Sequence, residues 1–541
     1  MTEERVDEHE QSTALRDAAE HFREKQLPRW ARDPFQQVSS RSLPNWSSCA
    51  LSLLPSFVSS YLVRPNPTAR TKPLHDTAYL DGLRGVAAFI VYLHHTQIMY
   101  SYQSLYGYGS AEGQTHILQL PFLKLLNAGP ASVALFFVIS GYVLSIKTLT
   151  HIYEHQNDKI LTSLASSVLR RGVRLFMPFA AITFFLAINT QTNFPVAIPY
   201  GDYHQGSFKE QMTHWWRVVA TTTNPLHSAD PPYWPTAYLA AAWTLPLEFN
   251  GSMIVYMMLL ALSQAKRWVH ALVVFVVGVY WPLSIGDAFS PYTALFCAGM
   301  LLAELAIVFP PATSSRSHGA SFFHGRSSHF RRVHQIVSIS LFVVALYLLS
   351  APRLGMKDSW GYMTLESWVP KEYNEDPGKL LLCIGSILLV LVITYAPTRS
   401  PTQQHVALSA EGHRFLEQKH YDAANAPFLQ RLFTNRLSQY LGRISFSLYL
   451  WHEPLRVLLH EKNAMSAQLL LANYYATAGA VTSPEEIKQL DREYYWNFFS
   501  LLIPGLFWTT FWVIWISDVF CRMVDEPSTR FARRLSQWTE R

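Results

Sequence analysis

The chain has 541 residues, of which 49% are hydrophobic and only 15% charged, with a formal net charge of +6. Soluble domains carry about 25% charged residues, and long uncharged runs recur from residue 79 to residue 518. This composition excludes an ordinary soluble enzyme and predicts an all-α, polytopic membrane bundle in contact with the lipid bilayer. The modest basic excess fits the cytoplasmic loops of a membrane protein, so no nucleic-acid partner is expected. The four cysteines, Cys49, Cys297, Cys383 and Cys521, have no metal-ligand spacing, and neither a metal site nor a disulfide framework is expected.

Residues 1–75 read as a polar cytoplasmic tail with an interfacial helix over 48–63, and the polar start shows no cleavable signal peptide. A transmembrane domain is expected over 76–530, followed by a short cytoplasmic tail over 531–541. About ten spans are predicted, near 79–100, 128–146, 175–192, 236–262, 268–285, 290–309, 335–352, 379–396, 439–460 and 496–518. Lysine and arginine alternate in abundance between successive loops. Lys147, Lys159, Arg170 and Arg171 follow the second span, Lys266 and Arg267 the fourth, and Arg326, Arg331 and Arg332 the sixth. That asymmetry predicts both termini in the cytoplasm without specifying which membrane. Residues 193–235 read as an ordered outer loop, and 310–334 as a flexible inner one. No internal repeat is apparent, which weakens a transporter built on inverted repeats.

Ionisable side chains inside a bilayer are functional candidates by default. The first span begins Asp81-Gly82-Leu83-Arg84-Gly85 and carries His94-His95 further along. Positions 84 and 95 lie 11 residues apart, a spacing that returns to within about 20° of one helix face and spans roughly 16 Å. His95 is therefore placed below Arg84 on one face, with His94 about 100° away in a packing or supporting position. Histidine suits proton exchange near neutral pH, which makes His95 a candidate general base.

Further along, Arg171 and Arg174 share a helix face where the second inner loop enters the third span, and arginine pairs grip phosphates well. In the run Phe136-Phe137-Val138-Ile139-Ser140-Gly141-Tyr142 the small residues permit close helix approach. Ser140 lacks the surroundings of an activated nucleophile. Glu248, in Trp243-Thr244-Leu245-Pro246-Leu247-Glu248, is a carboxylate within a span that must orient a histidine or pair with an arginine. His452 lies in Leu441-Gly442-Arg443-Ile444-Ser445-Phe446-Ser447-Leu448-Tyr449-Leu450-Trp451-His452-Glu453-Pro454, either at a helix end or in a supporting role.

Taken in order, these segments resemble the acyltransferase-3 family of integral membrane O-acyltransferases, fungal members in particular. The resemblance rests on Arg84 and His95 with ten residues between them, the second-span FFVISGY run, Arg171-x-x-Arg174, Trp243 to Glu248, the late LGRISFSLYLWHEP run and Val524-Asp525-Glu526-Pro527. Pro246 departs from the commoner form of its segment. The resemblance implies transfer of an acyl group, often acetyl, from cytosolic acyl-CoA to a hydroxyl of a carbohydrate, lipid-linked sugar or secondary metabolite. Acyl-CoA is then a co-substrate and no bound cofactor is implied. Arg84, Arg171 and Arg174 are expected to hold the CoA and His95 to take the acceptor proton, with Glu248 orienting a partner or stabilising charge. His94, Ser140 and His452 are supporting candidates. The competing expectation is a proton-coupled transporter or lipid flippase with the buried His and Glu as its relay.

Overall fold

Ten apolar stretches separated by polar segments can satisfy their backbone groups in a membrane only as helices or a closed barrel, and the lengths here select helices. The computed structural model describes residues 54–56, 58, 74–110, 114–192, 204–224, 237–285, 290–311, 328–373, 376–397, 427–478 and 483–539. The tail expected over 1–47 lies outside the described residues. So do nearly all of the interfacial helix expected over 48–63 and most of the loop expected over 310–334.

In chain order the helices are α1 (Ala78–Tyr100), α2 (Gly129–Tyr153), α3 (Asn157–Asn189), α4 (Phe208–Thr223) and α5 (Thr244–Ala261). Then come α6 (Arg267–Val273), which runs through a π-helical stretch (Val274–Tyr280) into α7 (Trp281–Ile285), then α8 (Ser290–Val308) and α9 (Ser328–Leu349). The last are α10 (Met363–Glu366), α11 (Gly378–Thr394), α12 (Phe428–Thr434), α13 (Arg436–Ala478), α14 (Pro484–Phe520) and α15 (Glu526–Thr539). There is no strand among the described residues.

Helices occupy all ten expected positions, and among the described residues seven helical stretches are long and apolar enough to cross a membrane. The other three are α1, α11 and α13. α11 has 17 residues, while charged residues and histidines lower the hydropathy of α1 and α13. Among the described residues, length and apolarity alone support seven spans, and the expected count of about ten is not confirmed. Another difference concerns α3. The segment expected as an inner loop before residue 175 is the first half of this helix, so Arg171 and Arg174 lie mid-helix. That half is stable because Ile160, Ser163 and Leu164 are buried and the amphipathic α15 packs alongside, with Ser166 Oγ 2.5 Å from Ser536 Oγ. α13 and α14 also run past their expected spans as a hairpin, where Tyr474 and Tyr494 meet with ring centroids 4.8 Å apart.

Two helix crossings position the site. In the first, a Cβ on Gly85 would stand 2.2 Å from the Gly442 backbone nitrogen, and a Cβ on Gly442 would stand 2.4 Å from the Asp81 carbonyl. The backbones of α1 and α13 thus touch, as small residues allow in membrane bundles. In the second, Gly141 of α2 abuts the Phe296 carbonyl and Gly299 of α8 abuts the Val138 carbonyl. Gly141 of the FFVISGY run serves this close approach.

Candidate active site

The α1–α13 crossing fixes Arg84. Its Nε donates to Ser445 Oγ at 3.1 Å and one terminal nitrogen to the Gly442 carbonyl at 3.3 Å. Asp81 stands 3.4 Å away, one turn earlier. Asp81 also binds His75, just ahead of α1, at 2.9 Å, and this hydrogen bond raises the pKa of His75.

Pro246 sits in the first turn of α5, where a missing N–H leaves no helical bond unmade. Glu248 consequently falls in the second turn and faces α3. Arg171 donates to Glu248 Oε1 and, through Nε at 3.0 Å, to Ser252 Oγ one turn further on. Ser140 Oγ donates to the same Glu248 oxygen at 2.5 Å. Of the two partners expected for Glu248, the structure provides the arginine. Ser140 is a hydrogen-bond donor to that ion pair.

Arg84, Ser140, Arg171, Arg174 and Glu248 all line one open-mouthed cavity of about 200 Å³. Three further lining groups, Arg443, Tyr449 and Asp525, were not singled out as site residues from the sequence. Arg443 and Tyr449 belong to the LGRISFSLYLWHEP run, so their signal was present but not separable from a packing motif. Four guanidinium groups against the carboxylates of Glu248 and Asp525 leave the wall at 4 − 2 = +2. Arg171 is committed to Glu248, and Arg443 pairs with Asp518 at 2.6 Å. Arg174 makes no ion pair among the described residues, and the charges acting on it most strongly are those of Arg84 and Asp525.

The histidines stand beyond this cavity. Tyr449 forms its wall, and the Tyr449 ring lies 5.9 Å from that of His452, which lies 5.3 Å from that of His95 (centroid distances). His95 shares the Arg84 helix but is separated from the cavity by these two rings. His452 is fully buried, and its Nδ1–H donates to the Tyr449 carbonyl at 2.6 Å. A neutral imidazole so held presents an unprotonated Nε2.

His94 turns elsewhere. Its Nδ1–H is shared between the backbone carbonyl of Asn127 at 2.7 Å and the Asn127 side-chain oxygen at 2.9 Å. Its ring lies against Gly129, where a Cβ would meet His94 Cδ2 at 2.3 Å. His94 lines a separate, smaller cavity with Lys124 and Arg353. Lys124, in the turn between α1 and α2, donates to the carbonyls of Ser104 at 2.5 Å and Tyr106 at 3.0 Å. Burial pulls its pKa down to about 8. Among the described residues no group of three or more His, Cys, Asp or Glu is placed to hold a metal ion.

The molecule is therefore a helical membrane protein with an arginine-lined cavity, and His452 and His95 lie beyond the Tyr449 wall of that cavity. The acyltransferase-3 family profile, described as an acyltransferase domain, matches residues 77–517, and the chain belongs to this family. It is 32% identical to the O-acetyltransferase PaAT-1 of Phomopsis amygdali over 71% of this chain and 73% of that protein. It is 22% identical to acyltransferase R4 of Phoma sp. over 70% of this chain and 83% of that protein, and 22% identical to acyltransferase clz18 of Cochliobolus lunatus over 71% and 83%. No solved structure matches. The protein is thus an integral membrane acyltransferase that transfers groups other than amino-acyl groups, using an acyl donor and an acceptor. This sets the transporter expectation aside.

Proposed function

We propose that this enzyme moves an acetyl group from acetyl-CoA to a hydroxyl of a carbohydrate, lipid-linked sugar or secondary metabolite. The observation that carries the reading is the cavity whose wall holds Arg84, Arg171, Arg174 and Arg443 and whose inner side, at Tyr449, adjoins His452 and His95. Its net positive wall suits the phosphates of CoA, with Arg84 and Arg174 facing them and Arg171 shaping the cavity through Glu248. His95 accepts the acceptor proton as the hydroxyl oxygen attacks the thioester carbonyl. A C–O bond forms, the C–S bond breaks, and the proton returns to the departing CoA thiolate. General-base help of this kind is worth ~10²–10⁴ in rate. The name of PaAT-1 supports acetyl as the group transferred. The lysine and arginine asymmetry of the loops supports a cytoplasmic location for both termini and for the Arg84 end of α1. The test is incubation of the purified protein with carbonyl-labelled acetyl-CoA and a mixed pool of sugars, lipid-linked sugars and secondary metabolites. Label recovered as an ester on one of them is the expected result, and its complete absence would refute the reading.

A further inference from the structure

Beyond His452, α13 continues as a buried polar column. His452, Arg456 and His460 follow at steps of four residues on one helix face, a run of roughly 12 Å. They are 0%, 5% and 0% exposed. His452 Nε2, Arg456 Nε and His460 Nε2 are buried without a hydrogen-bond partner, and so is Thr509 Oγ1 on α14. The antiparallel register of α13 and α14 is set by Arg443 on Asp518 and by Gly505, whose Cβ would stand 3.0 Å from both His460 Cε1 and the Tyr100 hydroxyl. That register brings Thr509 level with Arg456.

Arg456 is the unusual member. Its nearest carboxylate is Glu453, whose Oε1 lies 3.8 Å from a terminal nitrogen, beyond hydrogen-bond distance, while the other oxygen, Oε2, accepts the Ala241 backbone N–H at 2.6 Å. One guanidinium nitrogen, Nε, is thus buried without a hydrogen-bond partner, and a buried polar group of this kind is costly unless a ligand completes it. The order along α13 says which ligand. Arg443 and Tyr449 face the cavity assigned to the donor, His452 meets His95, and Arg456 lies on the far side of that meeting point. The far side is where the acceptor must enter if donor and acceptor meet at His95.

Resting on the acyltransferase reading above, we infer that Arg456, His452 and Thr509 bind the acceptor, and that they select a vicinal diol over an isolated hydroxyl. The donor–acceptor pattern requires it. His452 Nε2 accepts a hydroxyl proton, and Arg456 Nε–H donates to an oxygen one helical turn away. One hydroxyl of a diol can then face His95 while its neighbour is held between His452 and Arg456. Sugars and non-sugar polyols share this chemistry.

The test uses the purified full-length chain, labelled acetyl-CoA and three probes that share an eight-carbon tail: 1-octanol, 1,2-octanediol and octyl β-glucoside. The wild type should use the two diol-bearing probes about tenfold better than octanol, as expected for one or two hydrogen bonds to a charged donor. Preference for the glucoside alone would name a sugar, and equal use of both would name any diol. Arg456→Met should erase the preference and leave both the KM for acetyl-CoA and the turnover of octanol near wild type. Thr509→Val, which removes a hydroxyl without disturbing charge, should raise the KM for the diol several-fold with the donor KM unchanged, and it serves if Arg456→Met does not fold. Equal loss on octanol and diol, or no diol preference in the wild type, would overturn the inference. Failure of all three probes while the mixed pool is still esterified would overturn the diol assignment alone. No ester in either would bring down the acyltransferase reading itself.

Discussion

His95 of α1 and His452 of α13 lie with ring centroids 5.3 Å apart and planes inclined at 33°, and only His452 is pinned by a hydrogen bond, from Nδ1 to the Tyr449 carbonyl. His452 is thereby held in one tautomer, while no hydrogen bond to the described residues holds the His95 ring. The general-base role proposed for His95, which takes a proton and returns it within one turnover, is compatible with that freedom.

Replacing His95 with Gln should therefore abolish acyl transfer while leaving acetyl-CoA binding near normal, because a general base acts on the transition state more than on the bound ground state. His94→Ala should behave differently. It leaves the buried oxygens of Asn127 without their donor and opens a space beside Gly129, so thermal stability should fall while activity per folded molecule persists. Transfer rates at saturating donor, with melting curves for each variant, decide this. A well-folded His95→Gln enzyme with near-normal turnover would eliminate the general-base assignment.

Arg171 and Arg174 occupy one motif but should separate on mutation. Arg171→Ala strands the Glu248 carboxylate, whose side chain is 15% exposed, and breaking such a pair costs about 3 kcal/mol. The double variant Arg171→Ala with Glu248→Gln should recover much of that stability. Arg174→Ala should leave the melting temperature close to wild type and raise the KM for acetyl-CoA, with little change for a donor truncated before the nucleotide phosphates. Equal effects of Arg174→Ala on intact and truncated donors would show that this arginine does not meet phosphate.

Lys124 offers a pH signature. Burial lowers its pKa to about 8 from the ordinary lysine value of 10.5. Between those values the unfolded chain binds more protons than the folded one, so stability rises with pH across that window. The melting temperature of the wild type relative to Lys124→Met should climb from pH 8 toward pH 10 and be flat below about pH 7. A difference curve without that climb would mean that Lys124 is solvated in the protein.

The sequence alone determined the fold class, the positions of the helices and five of the residues that line the cavity, Arg84, Ser140, Arg171, Arg174 and Glu248. Apolar runs of membrane length admit little but helices when every backbone group must be satisfied internally, and guanidinium or carboxylate groups within such runs are too costly to be incidental. Arg84, Arg171, Arg174 and Glu248 were legible for that reason, and the 100° step between His94 and His95 gives them different further neighbours although their rings stay in contact, with centroids 5.4 Å apart. What the sequence left open was who pairs with whom. Glu248 was equally suited to a histidine and to an arginine until α5 was set against α3, and Arg171 proved to be its partner. The contact of His95 with His452 joins residues 357 positions apart, and it exists because two glycines let α1 and α13 touch. Periodicity reports which face a side chain takes on its own helix. Only the packing of helices decides what that face meets, and that is why Arg443, Tyr449 and the column through Arg456 emerged from the tertiary structure.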